Sequence, residues 1–168
     1  SSGHVIAATG GSGIFRTTDN GSSWAAFNSS LTNPYVQALA SSSKGLLMVG
    51  TEGGGVFRST DNCASWTRAD TGLTNADVQA LAFNSSGHIF AGTDGGGVFV
   101  STDNGASWVP SDSGMTNKDV FALAINSSGH IFAGTDGGGV FLSIDNGRSW
   151  RLIDNGLSRM RVLCLAIN

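Results

Sequence analysis

Four aspartates recur in fixed company along this 168-residue sequence. Thr17, Asp19, Gly21 and Trp24 set a pattern Ser/Thr-x-Asp-x-Gly-x-x-Trp, repeated by Ser59, Asp61 and Trp66, by Ser101, Asp103, Gly105 and Trp108, and by Ser143, Asp145, Gly147 and Trp150. Cys63 stands at the glycine's place in the second copy. A carboxylate beside a hydroxyl could serve a calcium site or acid–base chemistry, or it could accept backbone N–H bonds where the chain reverses. With one aspartate per repeat the four cannot converge on one substrate, so the turn is the expected role. The Trp ring is then expected to bury its area under the adjoining hairpin. Cys63 should cost about 1 kcal/mol if its backbone has positive φ.

A second set of reactive groups sits beside glycine runs. Glu52, Asp94 and Asp136 each lead into Gly-Gly-Gly, and these turns should share one face with the loops after Asp70, Asp112 and Asp154. The repeated aspartate turns should lie on the opposite face. The units differ most next to the acidic turns, at Pro34 and Tyr35, Ala76 and Asp77, Lys118 and Asp119, and Met160 and Arg161. Tyr35, Glu52, Asp94, Asp136 and Arg161 therefore form the candidate ligand face, for a glycan or a protein; solvated loops are the plainer reading. His4, His88 and His130 share one repeat position, with Leu46 in the fourth; held apart in this way they make no metal set. Cys63 and Cys164 fall at unrelated repeat positions and form neither a disulfide framework nor a zinc site. Asn28, Asn84 and Asn126 open glycosylation sequons of the kind an Asn- and Ser-rich chain generates by chance. No cofactor is implied.

Composition narrows the partners. A net charge of −3, with nine scattered Lys and Arg, gives no basic stripe for phosphates, so nucleic acid is not expected. No apolar run nears the roughly 20 residues of a membrane helix, and no basic-then-apolar leader precedes Ser1. A soluble chain whose export signal has already been removed is the expectation, in an extracellular or periplasmic setting.

The elements that hold these groups follow from a period. Trp24, Trp66, Trp108 and Trp150 are 42 residues apart, and 168 residues make four such units, 1–42, 43–84, 85–126 and 127–168. The last two units are identical at 28 of 42 positions, a mark of duplication followed by drift. The units open on Ser1 and end on Asn168 without flanking caps, as expected of an excised or engineered segment of a longer repeat protein. In the third unit, His88–Thr93 and Val98–Ser101 flank a glycine turn, Asp103-Asn104-Gly105 gives a second reversal, and Trp108–Ser111 makes a short strand. Pro110 confines that strand to an outer edge. Val120–Ile125, like Val36–Ala40, Val78–Ala82 and Val162–Ala166, is apolar on both faces and narrowed by alanine, as a strand beside a crowded axis would be. A helical-pair repeat fails on the glycines and the missing 3.6-residue pattern. The fold class is all-β.

The four in-phase motifs resemble the Asp-box of the BNR repeat family, found in sialidases, sortilin-like Vps10 receptors, xyloglucan hydrolases and secreted bacterial propellers. The resemblance covers the whole chain and implies a β-propeller of four-stranded blades. It does not carry activity across. A sialidase needs an arginine triad and a nucleophilic tyrosine, yet the arginines lie in no Arg-Ile-Pro segment and Tyr35 is the single tyrosine. A xyloglucan hydrolase needs two carboxylates about 6.5–9.5 Å apart for inversion, which a sequence cannot place.

Strand order within the unit has a consequence for closure. Each unit runs middle, middle, outer, then the inner strand of the following blade, so the first blade lacks an inner strand and Val162–Ala166 has no following blade. The expected outcome is an eight-bladed homodimer through exchange of Val162–Ala166, with a closed four-bladed ring as the alternative. The functional expectation is a non-enzymatic scaffold or interaction module. The alternative is a carbohydrate-binding or glycoside-hydrolase-like module using the acidic face, and a sensor domain would need a signalling partner.

Overall fold

The computed structural model describes residues 4–157 and 159–168; Ser1, where the first unit opens, lies outside them. Short β-prone runs separated by glycine or Asn-Gly reversals pair with their sequence neighbours, giving four antiparallel sheets. The first holds β1 (Val5–Thr9), β2 (Gly13–Thr17) and β3 (Ala25–Ala26). The second runs β4 (Val36–Ser41), β5 (Leu47–Thr51), β6 (Gly55–Ser59) and β7 (Thr67–Arg68). The third runs β8 (Val78–Phe83), β9 (Ile89–Thr93), β10 (Gly97–Ser101) and β11 (Val109–Pro110), and the fourth β12 (Val120–Ile125), β13 (Ile131–Thr135), β14 (Val140–Ser143) and β15 (Arg151–Leu152).

Each four-stranded sheet begins with the strand contributed by the preceding sequence unit and ends on a two-residue outer strand, where Pro110 sits. The first sheet has three strands rather than four, with no described strand paired along the inner edge of β1. Val162–Ala166 forms no strand. The array of sheets is open.

The inner strands depart from the sequence expectation. Val36 and Ala38, Val78 and Ala80, and Val120 and Ala122 are buried, but the intervening Gln37, Gln79 and Phe121 face an open axial channel together with Leu163. A channel that is not closed leaves one face of each inner strand half wet. Each inner strand also carries a register shift at its second residue, between Val36 and Ala38, Val78 and Ala80, and Val120 and Ala122.

The hydrophobic core lies between sheets. Ile14 of the first sheet packs with Val49, Phe57 and Trp66 of the second; Met48 and Val56 pack with Ile89, Phe99 and Trp108; Phe90 and Val98 pack with Ile131, Phe141 and Trp150. Sheets approach closely beside the inner strands. A Cβ built on Gly92 would lie 2.6 Å from Val120 Cγ1, and Gly50 and Gly134 meet Val78 and Val162 in the same way. These glycines are required for spacing, not for an unusual φ.

Candidate functional site

The repeated aspartates are engaged by their own turns. In the third unit, Asp103 Oδ1 accepts from the Ser101 hydroxyl (2.8 Å) and the Ser107 backbone N–H (2.9 Å), while Oδ2 accepts from the Ser107 hydroxyl at 2.6 Å. The Ser101 hydroxyl oxygen also accepts the Gly105 N–H at 2.9 Å. Asp19, Asp61 and Asp145 repeat the arrangement with Ser23, Ser65 and Ser149. These hydrogen bonds, led by the serine hydroxyl before the Trp, lower each carboxyl from 3.8 to about 2. The serine preceding each Trp was not part of the sequence motif, although its presence in all four copies was a legible signal.

The turn bends through left-handed backbone at Asn20, Asn62, Asn104 and Asn146 and at the following residue. Cys63 has φ of 71° and is fully buried, in the cluster that includes Ile6 and Phe27. At the matching position of the third unit, a Cβ on Gly105 would meet Met48 at 2.7 Å. The Cys63 side chain thus occupies intersheet space that Met48 fills one unit later, and burial pushes its thiol pKa up.

Trp66, Trp108 and Trp150 cluster with residues of their own hairpins, Phe57, Phe99 and Phe141 among them, and with the preceding sheet as well. Each reaches back to the preceding sheet, where the Trp66, Trp108 and Trp150 indole N–H groups donate to the carbonyls of Phe27, Ala69 and Ser111 at 2.7–2.8 Å. Their backbone N–H groups donate to Ser29, Thr71 and Ser113. Trp66, Trp108 and Trp150 are 2–5% exposed, but Trp24, against which no sheet of the described residues packs in this way, is 44% exposed. The burial expected of the ring thus holds in three copies and not at Trp24.

The opposite face carries the acids. Asn33, Asn75 and Asn117 brace it: each Nδ2 donates to the carbonyl of Glu52, Asp94 or Asp136, and each Oδ1 accepts the N–H of Tyr35, Asp77 or Asp119. These asparagines were missed in the sequence, where Asn before a variable pair reads as ordinary loop. The three braces interleave two rows of side chains, and the fourth loop has Arg159 in place of the asparagine. One row is Glu52, Asp94 and Asp136; the other is Tyr35, Asp77, Asp119 and Arg161.

The five candidate residues fall into two groups along this rim. Tyr35, half exposed, lies against Gly11, and Glu52 beside it accepts a hydrogen bond from Gln37 at 3.1 Å. Asp94, Asp136 and Arg161 gather with Asp77 and Asp119. Arg161 Nε lies 3.2 Å from Asp136, and its guanidinium sits 4.9 Å from the Phe121 ring centre. Burial raises the Asp94 pKa, as do the charges of Asp119, Asp77 and Asp136 in that order, with Arg161 opposing. Farther from the axis, Arg68 pairs with Asp70 at 2.7 Å and Lys118 with Asp112.

The remaining reactive groups stay dispersed. Among the described residues no three His, Cys, Asp or Glu side chains gather as metal ligands, and no helix is long and apolar enough to cross a membrane. The sequon asparagines have backbone duties: Asn28 Oδ1 accepts the Ile14 N–H, while Asn84 and Asn126 accept the N–H groups of His88 and His130.

No family model and no curated protein matches the chain. Solved structures do. The extracellular domain of a one component system from B. thetaiotaomicron matches with a TM-score of 0.77 at 14% identity, over 96% of this chain and 23% of that one. A GH74 enzyme from Niastella koreensis matches with a TM-score of 0.62 at 25% identity, over 90% and 22%. YCF48 bound to D1 peptide matches with a TM-score of 0.61 at 19% identity, over 86% and 49%. The chain thus spans less than half the length of each. The likeness shows the β-propeller fold, with the four sheets as its blades.

Proposed function

We propose that the chain is a non-enzymatic interaction module of an extracellular bacterial protein, binding a cationic protein segment on the acidic rim. The observation that carries this reading is the division of labour among the carboxylates. Those of the repeated turns are saturated by hydrogen bonds within the turn, whereas Asp77, Asp94, Asp119 and Asp136 form a shared negative field opened toward solvent. Carboxylates so placed suit the steering and capture of lysine and arginine side chains. Arg161 and Tyr35 bound the arc and would orient the ligand. The extracellular domain and the peptide complex among the similar structures are consistent with this setting and ligand class.

Titration of a lysine- and arginine-rich peptide by calorimetry tests the reading. Binding is expected for the parent chain and to fall about tenfold or more when Asp94 and Asp136 become Asn, since each lost charge contact is worth on the order of 1 kcal/mol. Hydrolysis of a β-glucan, or glycan binding lost in the same double variant, would replace this reading with a carbohydrate-active one.

A further inference from the structure

Each junction between sheets is built from the same parts, and the chain carries one more set of these parts, divided between its two open faces. At a junction, the later sheet gives a Trp whose indole and backbone N–H groups donate to two carbonyls of the earlier sheet. Those carbonyl pairs are Phe27 and Ser29, Ala69 and Thr71, and Ser111 and Ser113. Continued by one period, the series arrives at Ile153 and Asn155, whose carbonyls have no partner among the described residues. The unmatched Trp is Trp24.

The apolar halves divide in the same way. Where Phe90 and Met115 meet Ile131 and Phe141 at the last junction, the equivalents are Phe132 and Leu157 on the fourth sheet and Val5 and Phe15 on the first. Val5 is 50% exposed and Leu157 41%. The same two faces carry the backbone complement. Among the described residues β1 has no paired neighbour on its inner edge, and Val162–Ala166 pairs with no strand, although the Val162 N–H is already docked on the Thr135 carbonyl at 2.9 Å. An inner strand with an unpaired ladder and a β edge with an unpaired ladder are complementary surfaces.

We propose that these two faces bind each other between copies: a second copy of this chain docks head to tail at both seams, with Trp24 of one entering the Ile153–Asn155 site of the other. Within one chain both faces remain exposed together, Trp24 at 44% and Ile167 at 49%, so the chain does not satisfy them itself. Two identical seams close a two-fold assembly of eight sheets. The register follows from that of β12 on β13: Val162 opposite Thr9, Leu165 opposite Ala7, Ile167 opposite Val5. Cys164, exposed in the single chain, then takes the place held by Ala38, Ala80 and Ala122, all buried.

Light scattering of the full chain is expected to give twice 17.1 kDa; a mass of 17.1 kDa across the micromolar range overturns the proposal. Trp24→Ala should weaken self-association about tenfold or more, as loss of a central aromatic anchor does, and unchanged association would count against the seam. Val5→Cys with Ile167→Cys, in a Cys164→Ser background, reads the register directly. Disulfide-linked dimers on oxidation support exchange, whereas a disulfide within one chain, or none, rejects it.

Discussion

Asp103 uses both carboxylate oxygens on groups within four residues of itself, and the same is true of Asp19, Asp61 and Asp145. The chemistry is self-contained, which is why the motif was legible from spacing alone. Its energetic signature is acid sensitivity. Folding lowers these four groups to about 2, below the 3.8 of the free side chain. Their stabilising effect is therefore complete above the ordinary carboxylate range and is lost as pH falls through about 2. Urea midpoints should stay level near neutrality and decline between about pH 4 and pH 2, with a shallower decline in Ser107→Ala, which removes the leading hydrogen bond to Asp103. A midpoint insensitive to pH in that window would contradict the assignment. Cys63 shows the limit of reading one residue at a time. Its positive φ was foreseeable from the glycine it replaces, but its place in a cluster that Ile6 and Phe27 pack against was not, because those residues belong to another sheet.

At the scale of strands and sheets, the hairpin order of each unit and the outer place of Pro110 came from patterns that act over a few residues. The contacts between sheets did not. The rings of Trp66, Trp108 and Trp150 pack on their own hairpins but also meet carbonyls 39 residues earlier, across a junction. The glycines of β5, β9 and β13 are set by the same junctions. Gly92 has no positive φ, so Gly92→Ala would ordinarily be mild in a strand; here the added methyl collides with the Val120 side chain and crowds its backbone carbonyl. Overpacking of this kind should cost about 1–3 kcal/mol. Gly10→Ala, which meets nothing within 4 Å, should stay within about 0.5 kcal/mol of the parent. Denaturant unfolding of the two variants checks the contrast, and equal effects would show that junction spacing does not govern the position.

For the molecule as a whole, stability should be carried by junctions added in series, each sheet touching only its neighbours. If copies complete one another at two further junctions, the unfolding temperature must rise with chain concentration, because association stabilises the folded form by mass action. A melting temperature independent of concentration over a hundredfold range would oppose that coupling. The acidic rim belongs to this scale too. Its acids were identifiable one by one, but Asp77 and Asp119 joined Asp94 and Asp136 only through the asparagine braces that interleave two loops from different units. By itself, the sequence determined the period, the all-β class, the strand order and the turn chemistry, since alternation and turn hydrogen bonds are decided by residues close along the chain. Only the tertiary structure decided which Trp is left uncovered, where the core lies and which acids share a field. Those depend on side chains from separate units meeting across a junction, where distance in space bears no relation to spacing in sequence.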